Sequence, residues 1–450
     1  MSTEFNISFD WLPRESDNPI ERFTLADICM SSGRLCITRL SDESAKTIRK
    51  GPRVSAYVMA LWFAANWWRL RWEPERIKDI SWLLSHKLSA AGGGYYWPDL
   101  SFSSDGEWVT IHNEITPGDE SDPIRYLERI DLEIPVGDFE AAVDAFIDAV
   151  INRVVSKAPS ETELTGLWAD VLKERRDPDL STWRKMEALM GFDPGEAPEK
   201  TVESILHMKK DYGGSAVEEM TAAFKESAGE AMGRLWNEAR TFAFHVKPTG
   251  CEALRDMIST TVPSSLIPWQ RAEAAAGQAR SHWSIKSGPV TNKMLHEILS
   301  LREGELLDKA NAPSVPVSAG FRERDNVEEL KIFIKKTNKT GKRFYLARII
   351  ADSLITGPDE RLLPACDTKT QRQKFQRAFA QAFLCPFKDL MEYLGEGEIT
   401  DDAIEAAAEH FKVSPVLVWT TLVNKGVLDR DCLWAFPWSW PSPLTLCRPI

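Results

Sequence analysis

The stretch Lys342-Arg-Phe-Tyr-Leu-Ala-Arg-Ile-Ile-Ala-Asp352 decides how the C-terminal third of this 450-residue chain is interpreted. We interpret it as a helix. The run Leu330-Lys-Ile-Phe-Ile334 before it is typical of a strand, and a turn rich in Lys, Asn, Thr and Gly joins the two. A further helical segment covers Gln373 to Phe387. The sequence therefore predicts a strand, a turn and two helices in this order.

These two helical segments resemble the core of the ImmA/IrrE family of metallopeptidases. The family pattern for the first helix is Arg-Phe-x-Leu-Ala-His-Glu-x-Gly-His, and the matching residues here are Arg343, Phe344, Leu346 and Ala347. In the second segment the matching residues are Phe379, Ala380, Leu384 and Pro386. The resemblance implies a zincin-like domain over residues 285–430, in which the second helix packs across the first.

Every metal-binding position of that pattern carries another residue in this chain. Arg348 and Asp352 replace the two histidines, Ile349 replaces the catalytic glutamate, and Gln373 replaces the third ligand. A zinc peptidase needs two neutral imidazoles at positions i and i+4 and a carboxylate as general base. Arg348 cannot lose its proton, and Ile349 can neither accept nor donate one. We therefore expect no catalytic residue, no metal and no cofactor here, and the spacing predicts an ion pair between Arg348 and Asp352.

The composition bounds the remaining possibilities. Apolar residues make up 43% and charged residues 27% of the chain, as in ordinary folded proteins. The net charge of -12 argues against broad nucleic-acid binding, although a local basic patch remains open. The seven cysteines form no Cys-x-x-Cys pair and are typical of reduced, buried thiols. The first residues do not resemble a signal peptide, and the apolar run Val54–Trp68 is too short to span a bilayer, so we expect a cytoplasmic protein without a membrane partner.

The N-terminal part of the chain is rich in tryptophan, with eight of the seventeen before residue 110. These side chains form either a binding platform or the aromatic core of a small α+β domain. A hairpin is predicted around the turn Ser103-Ser-Asp-Gly106. Acidic residues gather around it, so a divalent ion is an alternative reading of this region. The candidate residues of this alternative site are Trp97, Asp99, Asp105 and Glu107.

The fold class that we predict is α+β and mainly helical. We expect a tryptophan-rich α+β domain in residues 1–155, a helical region in residues 156–265, the degenerate peptidase domain in residues 285–430 and a Trp/Pro-rich tail in residues 431–450. The tail either folds over the domain or docks on another chain.

A pair of helices, 401–411 and 415–425, ends the predicted domain. The connecting turn places Ser414 where it caps the second helix. This arrangement also resembles a helix-turn-helix, but the second helix is dominated by apolar residues such as Val416 and Trp419. Packing in the domain core and contact with DNA both remain open.

Three functions follow from these observations. Active members of the family cleave repressors or antitoxins, so the resemblance implies a bacterial pseudo-protease that binds a regulator, an antitoxin or a phage protein, in transcription control, a toxin–antitoxin system or antiviral defence. An extended peptide would pair with the strand and contact the residues Lys331, Phe333, Ile334 and Arg348. The first alternative makes the N-terminal domain an enzyme or a nucleotide or ligand sensor. The second is a DNA-binding transcription regulator.

Overall fold

The computed structural model describes residues 5–13, 19–76, 79–118, 122–157, 161–263, 265–301, 316–323 and 328–429. The chain divides into two compact units, Met1–Ser204 with Thr368–Gln371, and Ile205–Asp367 with Arg372–Ile450. Helices predominate and all the strand pairing is antiparallel, so the fold is α+β and mainly helical, as predicted. The predicted tail, residues 431–450, lies outside the described residues.

The first unit contains ten strands and the helices that cover them, counted over the described residues. The strands are β1 Phe5–Trp11, β2 Leu25–Ser32, β3 Leu35–Cys36, β4 Leu40–Asp42, β5 Thr47–Arg49, β6 Arg53–Ser55, β7 Ser101–Ser104, β8 Trp108–Asn113, β9 Ile124–Tyr126 and β10 Ile130–Pro135. The helices are α1 Pro19–Thr24, α2 Ala56–Ala65, α3 Trp67–Trp72, α4 Ile80–His86, α5 Val136–Lys157, α6 Glu163–Arg176, α7 Pro178–Met190 and α8 Glu199–His207, the last of which ends beyond the boundary between the units. A 3-10 turn covers Leu88–Ala91.

Three small antiparallel sheets build the first unit. β2 pairs with β1, β3 and β6, β8 lies between β10 and β7, and β4 lies between β5 and β9. The predicted hairpin is confirmed, since β7 and β8 pair from Ser104–Val109 outward and Gly106 takes a φ of 106° in the turn. The apolar run Val54–Trp68 is divided between α2 and α3 at Asn66, whose side-chain amide donates to the carbonyl of Trp62 at 2.8 Å.

The second unit contains eleven helices and four strands, again counted over the described residues. The helices are α9 Lys209–Tyr212, α10 Gly214–Phe224, α11 Ala228–Phe242, α12 Cys251–Thr261, α13 Pro268–His282, α14 Asn292–Leu299, α15 Lys339–Ile355, α16 Gln371–Leu384, α17 Phe387–Leu394, α18 Asp401–Phe411 and α19 Pro415–Asn424. The strands are β11 Phe244–Val246, β12 Ser318–Arg322, β13 Leu330–Phe333 and β14 Leu362–Ala365. A 3-10 turn, Lys225–Ser227, joins α10 to α11.

An antiparallel four-stranded sheet, in the order β11-β13-β12-β14, supports α15 in the second unit. Ile349 of α15 packs directly on this sheet, since a Cβ added to Gly320 of β12 would lie 2.8 Å from the Ile349 side chain. Apolar side chains of α15, α16, α18 and α19 share one core with the sheet. This core is what fixes the two helices of the predicted site.

The predicted boundaries at residues 155 and 265 differ from the observed division. Leu164, Trp168 and Val171 of α6 belong to the core of the first unit, while Leu254 and Ile258 of α12 belong to the core of the second. The predicted helical region is therefore shared between the two units, because its amphipathic helices bury their apolar faces on different neighbours.

Candidate functional site

The candidate site is built by α15, α16 and β14, which place several polar side chains inside the second unit. α15 begins where the side chain of Asn338 accepts a hydrogen bond from the Gly341 amide at 2.8 Å. Arg348, Asp352 and Gln373 are each 1% exposed or less. Buried polar groups of this kind are tolerated only when they are hydrogen-bonded, so each has to find a partner.

Asp352 forms a two-pronged ion pair with Arg372 of the neighbouring helix. The Nε and Nη2 atoms of Arg372 each donate to one carboxylate oxygen of Asp352 at 2.7 Å. Burial alone would lower the pKa of Arg372, but the Asp352 carboxylate and its hydrogen bonds raise it above its ordinary value. The predicted pair of Arg348 with Asp352 is therefore wrong. The i,i+4 spacing places Arg348 on the same helix as Asp352. Arg372, on the next helix, instead bonds both carboxylate oxygens of Asp352 through two guanidinium nitrogens.

Arg348 instead joins α15 to α16 through Gln373. Its Nη2 atom donates to Oε1 of Gln373 at 2.7 Å and also to the carbonyl of Cys366. The same Gln373 oxygen accepts the amide N–H of Cys366 at 2.9 Å. Burial lowers the pKa of Arg348, and burial raises the pKa of the Cys366 thiol far above its ordinary range, so the thiol stays protonated at neutral pH. Neither side chain is suited to acid–base or nucleophilic chemistry.

The outer edge of β14 is covered by these helical side chains. Gln373 Nε2 and Gln376 Nε2 donate to the carbonyl of Pro364, at 2.9 and 3.1 Å. Arg372 Nη2 donates to the carbonyl of Leu362 at 3.3 Å. Pro364 itself has no N–H to offer. The main-chain acceptors of this edge are thus engaged by the chain's own side chains, as a buried sheet edge requires.

Glu360 extends the network to the start of α10. Its carboxylate accepts the amide N–H groups of Ser215 and Ala216, both at 2.8 Å, and lies 3.4 Å from Nη1 of Arg372. A carboxylate at a helix N-terminus satisfies free amides and complements the helix dipole. Gly213 permits this approach, because a Cβ there would lie 2.8 Å from the Glu360 Cα.

Arg322 of β12 closes the other end of α15. Its Nη2 donates to the carbonyls of Ser353 and Thr356, at 2.9 and 3.1 Å, and its Nη1 donates to those of Gly357 and Glu360. These are carbonyls that a helix end leaves without partners. Sequence reasoning missed Arg322, Arg372 and Glu360. The one available signal was the position of Arg372 beside Gln373.

The network can position backbone and helices, but it offers no metal centre. Among the described residues, no group of three His, Cys, Asp or Glu side chains is placed to hold an ion. Ile349 packs on Gly320. The polar side chains of the network are therefore engaged in hydrogen bonds and ion pairs within the chain.

The predicted peptide-binding strand is not an open edge. β13 pairs with β11 through Lys331–His245 on one side and with β12 through Lys331–Phe321 on the other. Phe333 and Ile334 are buried, and Lys331 lies 2.5 Å from Glu323 in an ion pair. Strand addition requires unpaired main-chain groups, and the segment Leu330–Ile332 has a strand neighbour on each side. Contact of a peptide with Lys331, Phe333, Ile334 and Arg348 stays a prediction.

The four residues of the alternative N-terminal site are Trp97, Asp99, Asp105 and Glu107, and the first three have contacts within the chain that account for their positions. Trp97 is buried, and its indole N–H donates to the Gly92 carbonyl at 2.7 Å. Asp99 pairs on the surface with Lys87 at 2.7 Å. Asp105 accepts the amides of Glu107 and Trp108, at 3.0 and 2.8 Å, and so fixes the hairpin turn, while the Glu107 side chain is exposed. In the described part of this region they form no metal-binding group.

Burial and hydrogen bonding bear on the tryptophan-rich region and on the C-terminal helix pair. All eight tryptophans before residue 110 are buried or half-buried, which favours an aromatic core over an open platform. The predicted cap at Ser414 is confirmed, since its hydroxyl accepts the Leu417 amide at 3.3 Å. Val418, Trp419 and Leu422 of α19 lie in the domain core, whereas Val416 on the same helix is 49% exposed. Contact of this helix with DNA stays a prediction.

Within the described residues, α-helices long and apolar enough to cross a membrane are absent. Comparisons of the chain with models of protein families, with curated proteins and with solved structures found no match.

Proposed function

We propose that residues 285–430 form a degenerate, zincin-like domain of the ImmA/IrrE type that recognises a protein without cleaving it. One observation carries this proposal. The three residues that stand at the ligand positions in the resemblance are gathered at one place, since Arg348 bonds Gln373 and Asp352 bonds Arg372, the neighbour of Gln373 in the chain. The geometry supports a frame in which two helices once met around an ion.

The replacement of the ligands supports recognition over catalysis. Arg348 and Gln373 now bond each other, and Asp352 is occupied by Arg372. No group at these positions can activate water at neutral pH. The partner that the resemblance implies is a regulator, an antitoxin or a phage protein in the bacterial cytoplasm.

Restoring the ligands tests the frame. We expect the full chain with Arg348→His, Ile349→Glu, Asp352→His and Gln373→Glu to bind one Zn²⁺, measured by metal analysis after gel filtration, while the natural sequence binds none. Since Asp352→His leaves the buried Arg372 charge without its partner, the same set is also made with Arg372→Met.

The control carries Ile349→Glu and Gln373→Glu alone, and it should not retain zinc because two ligands are missing. A folded variant of the complete set that holds no zinc would refute the zincin-like frame.

Recognition is tested by co-purification of the tagged full chain from its source cells, with and without nuclease treatment. We expect one protein to co-purify in a stoichiometric amount with the tagged chain after nuclease treatment. The Trp97→Phe and Asp105→Asn variants of the tagged chain should retain this protein. Recovery of nucleic acid alone, or of no partner, would contradict the proposed function.

A further inference from the structure

Two segments that contribute to the candidate site are basic, although the chain as a whole is acidic. Residues 331–348 contain seven Lys or Arg and no Asp or Glu, and residues 368–388 contain five Lys or Arg and again no acidic residue. The net charge of the protein is -12. These segments include the first part of α15, up to Arg348, and the whole of α16. Asp352, Glu360 and Asp367 lie beside them and pair with some of these cations.

Two of these cations lie near the ring of Tyr345, which is half-buried. The Lys336 ammonium lies 5.6 Å from the ring centroid and the Arg348 guanidinium lies 4.8 Å from it. Arg377 is close enough that the Arg348 charge, after burial, contributes to lowering its pKa to about 10. We call Lys336, Tyr345, Arg348 and Arg377 the cation cluster.

A carboxylate of the chain already lies at the cation cluster. The Tyr345 hydroxyl donates to Oδ1 of Asp367 at 3.2 Å, and the same oxygen lies 3.9 Å from Nη1 of Arg348. The Asp367 side chain is 90% exposed, whereas that of Arg348 is 1% exposed. The largely solvated Asp367 carboxylate therefore lies next to the buried Arg348 guanidinium. The Nε atom of Arg348 has no hydrogen-bond partner in the described part of the chain. A loosely held anion of this kind is easily exchanged for another.

We propose that the cation cluster binds an acidic segment of the protein partner, whose carboxylates join or displace Asp367 at Tyr345. This inference rests on the proposed function and names the chemistry of the partner. Lys336 is exposed and supplies long-range attraction, while the Tyr345 hydroxyl and Arg348 fix the position of the incoming carboxylate.

A protein segment fits this surface better than a nucleic acid does. Nucleic-acid binding requires a track of cations that follows many phosphates, and its affinity depends on their number. The cluster is small and lies on a chain whose remaining surface carries excess negative charge, which repels a long polyanion. A short acidic peptide presents few charges and avoids that repulsion.

The test uses the full chain and a fluorescent oligoglutamate peptide, with fluorescence anisotropy as the measurement. We expect Lys336→Gln to weaken binding roughly twofold to fivefold, since it removes an exposed cation. Asp367→Asn should strengthen binding by a similar factor, because it removes the competing carboxylate. Both positions are exposed, so both variants should fold.

Matched controls separate a local site from general electrostatics. Glu230 and Arg234 form a 3.9 Å ion pair on α11 and are 72% and 52% exposed. Arg234→Gln and Glu230→Gln change the net charge as the test variants do, but should leave peptide affinity unchanged. Equal shifts in the control and test variants would overturn the inference.

Two further outcomes are decisive. Absence of oligoglutamate binding by the natural sequence would overturn the inference, and tighter binding of single-stranded DNA of equal charge would overturn its assignment to a protein. If a protein partner co-purifies and Lys336→Gln leaves that complex intact, the inference fails while the proposed function stands. If no protein partner exists, the proposed function fails whatever the peptide does.

Discussion

Separating Asp352 from Arg372 should destabilise the second unit far more than removing both side chains. Asp352 is fully buried and Arg372 is 5% exposed, and two hydrogen bonds of 2.7 Å join them. Breaking a buried pair on one side typically costs about 3–5 kcal/mol, because the remaining charge stays buried. Glu360, 3.4 Å from Arg372, still offers partial compensation, so we expect about 3 kcal/mol for Asp352→Leu.

The double variant, Asp352→Leu with Arg372→Met, should cost much less. Apolar replacement of both partners removes the uncompensated charge, and the main remaining loss is a hydrogen bond to the buried carbonyl of Leu362. That loss amounts to about 1–2 kcal/mol. With each single variant costing about 3 kcal/mol and the double about 2 kcal/mol, the coupling free energy is about 4 kcal/mol.

The assay is hydrogen exchange by mass spectrometry on peptides from Lys339–Ile355 and Gln371–Leu384, supported by urea unfolding. Exchange reports the local free energy of opening, which matters because a chain of two units need not unfold in one step. The same cycle on the exposed pair Glu230–Arg234 serves as the control and should give at most about 0.5 kcal/mol.

A coupling free energy below about 1 kcal/mol between Asp352 and Arg372 would refute the reasoning. In each single variant the remaining charged side chain stays buried without its partner, and that cost has to appear in the coupling. The cycle on Arg348 and Asp352 gives an internal comparison. Because Arg348 bonds Gln373 and Asp352 bonds Arg372, we expect its coupling to be the smaller of the two.

Two further predictions concern other parts of the molecule. Burial lowers the pKa of His86 from its ordinary 6.5 to about 3, with the nearby Arg69 also lowering it, so its contribution is complete above pH 6.5 and is lost as the pH falls towards 3. At pH 5 the unfolding free energy measured in urea should have dropped by about 2 kcal/mol more in the natural sequence than in His86→Gln, and equal pH profiles would contradict this. Gly213→Ala should destabilise the second unit by about 1–3 kcal/mol in thermal unfolding, because φ is 99° and the new Cβ meets the Glu360 backbone. Gly277→Ala, inside α13 with free space around it, is the control and should raise stability by about 0.5–1 kcal/mol.

The sequence predicted elements well where local signals sufficed. The turn at Ser103–Gly106 and the cap at Ser414 each correspond to an observed feature. Each is decided by residues within one turn or one strand. The division of the apolar run Val54–Trp68 at Asn66 was not predicted, because a side chain that bonds the preceding turn looks like any polar residue in such a run.

Partners that are distant along the chain could not be predicted in this way. The spacing of Arg348 and Asp352 favours a pair on one helix, yet Arg372 of the next helix fits Asp352 better. The strand at Leu330–Phe333 was recognised, but its two neighbours were not, and these neighbours decide whether its edge is open. A single sequence carries the propensity of a segment and not its contacts.

The pairing of the sheet strands and the cation cluster together constrain how the proposed partner could bind. A peptidase of the expected type would hold its substrate along an open strand beside the metal. Here Arg372, Gln373 and Gln376 occupy the carbonyls of β14, and opening that edge would expose buried charges at a cost of several kcal/mol. A partner therefore gains more from the outer surface, where Asp367 is held by one hydrogen bond and one long ion pair. If the proposed function holds, this difference in cost favours recognition through side-chain charge over recognition through main-chain pairing.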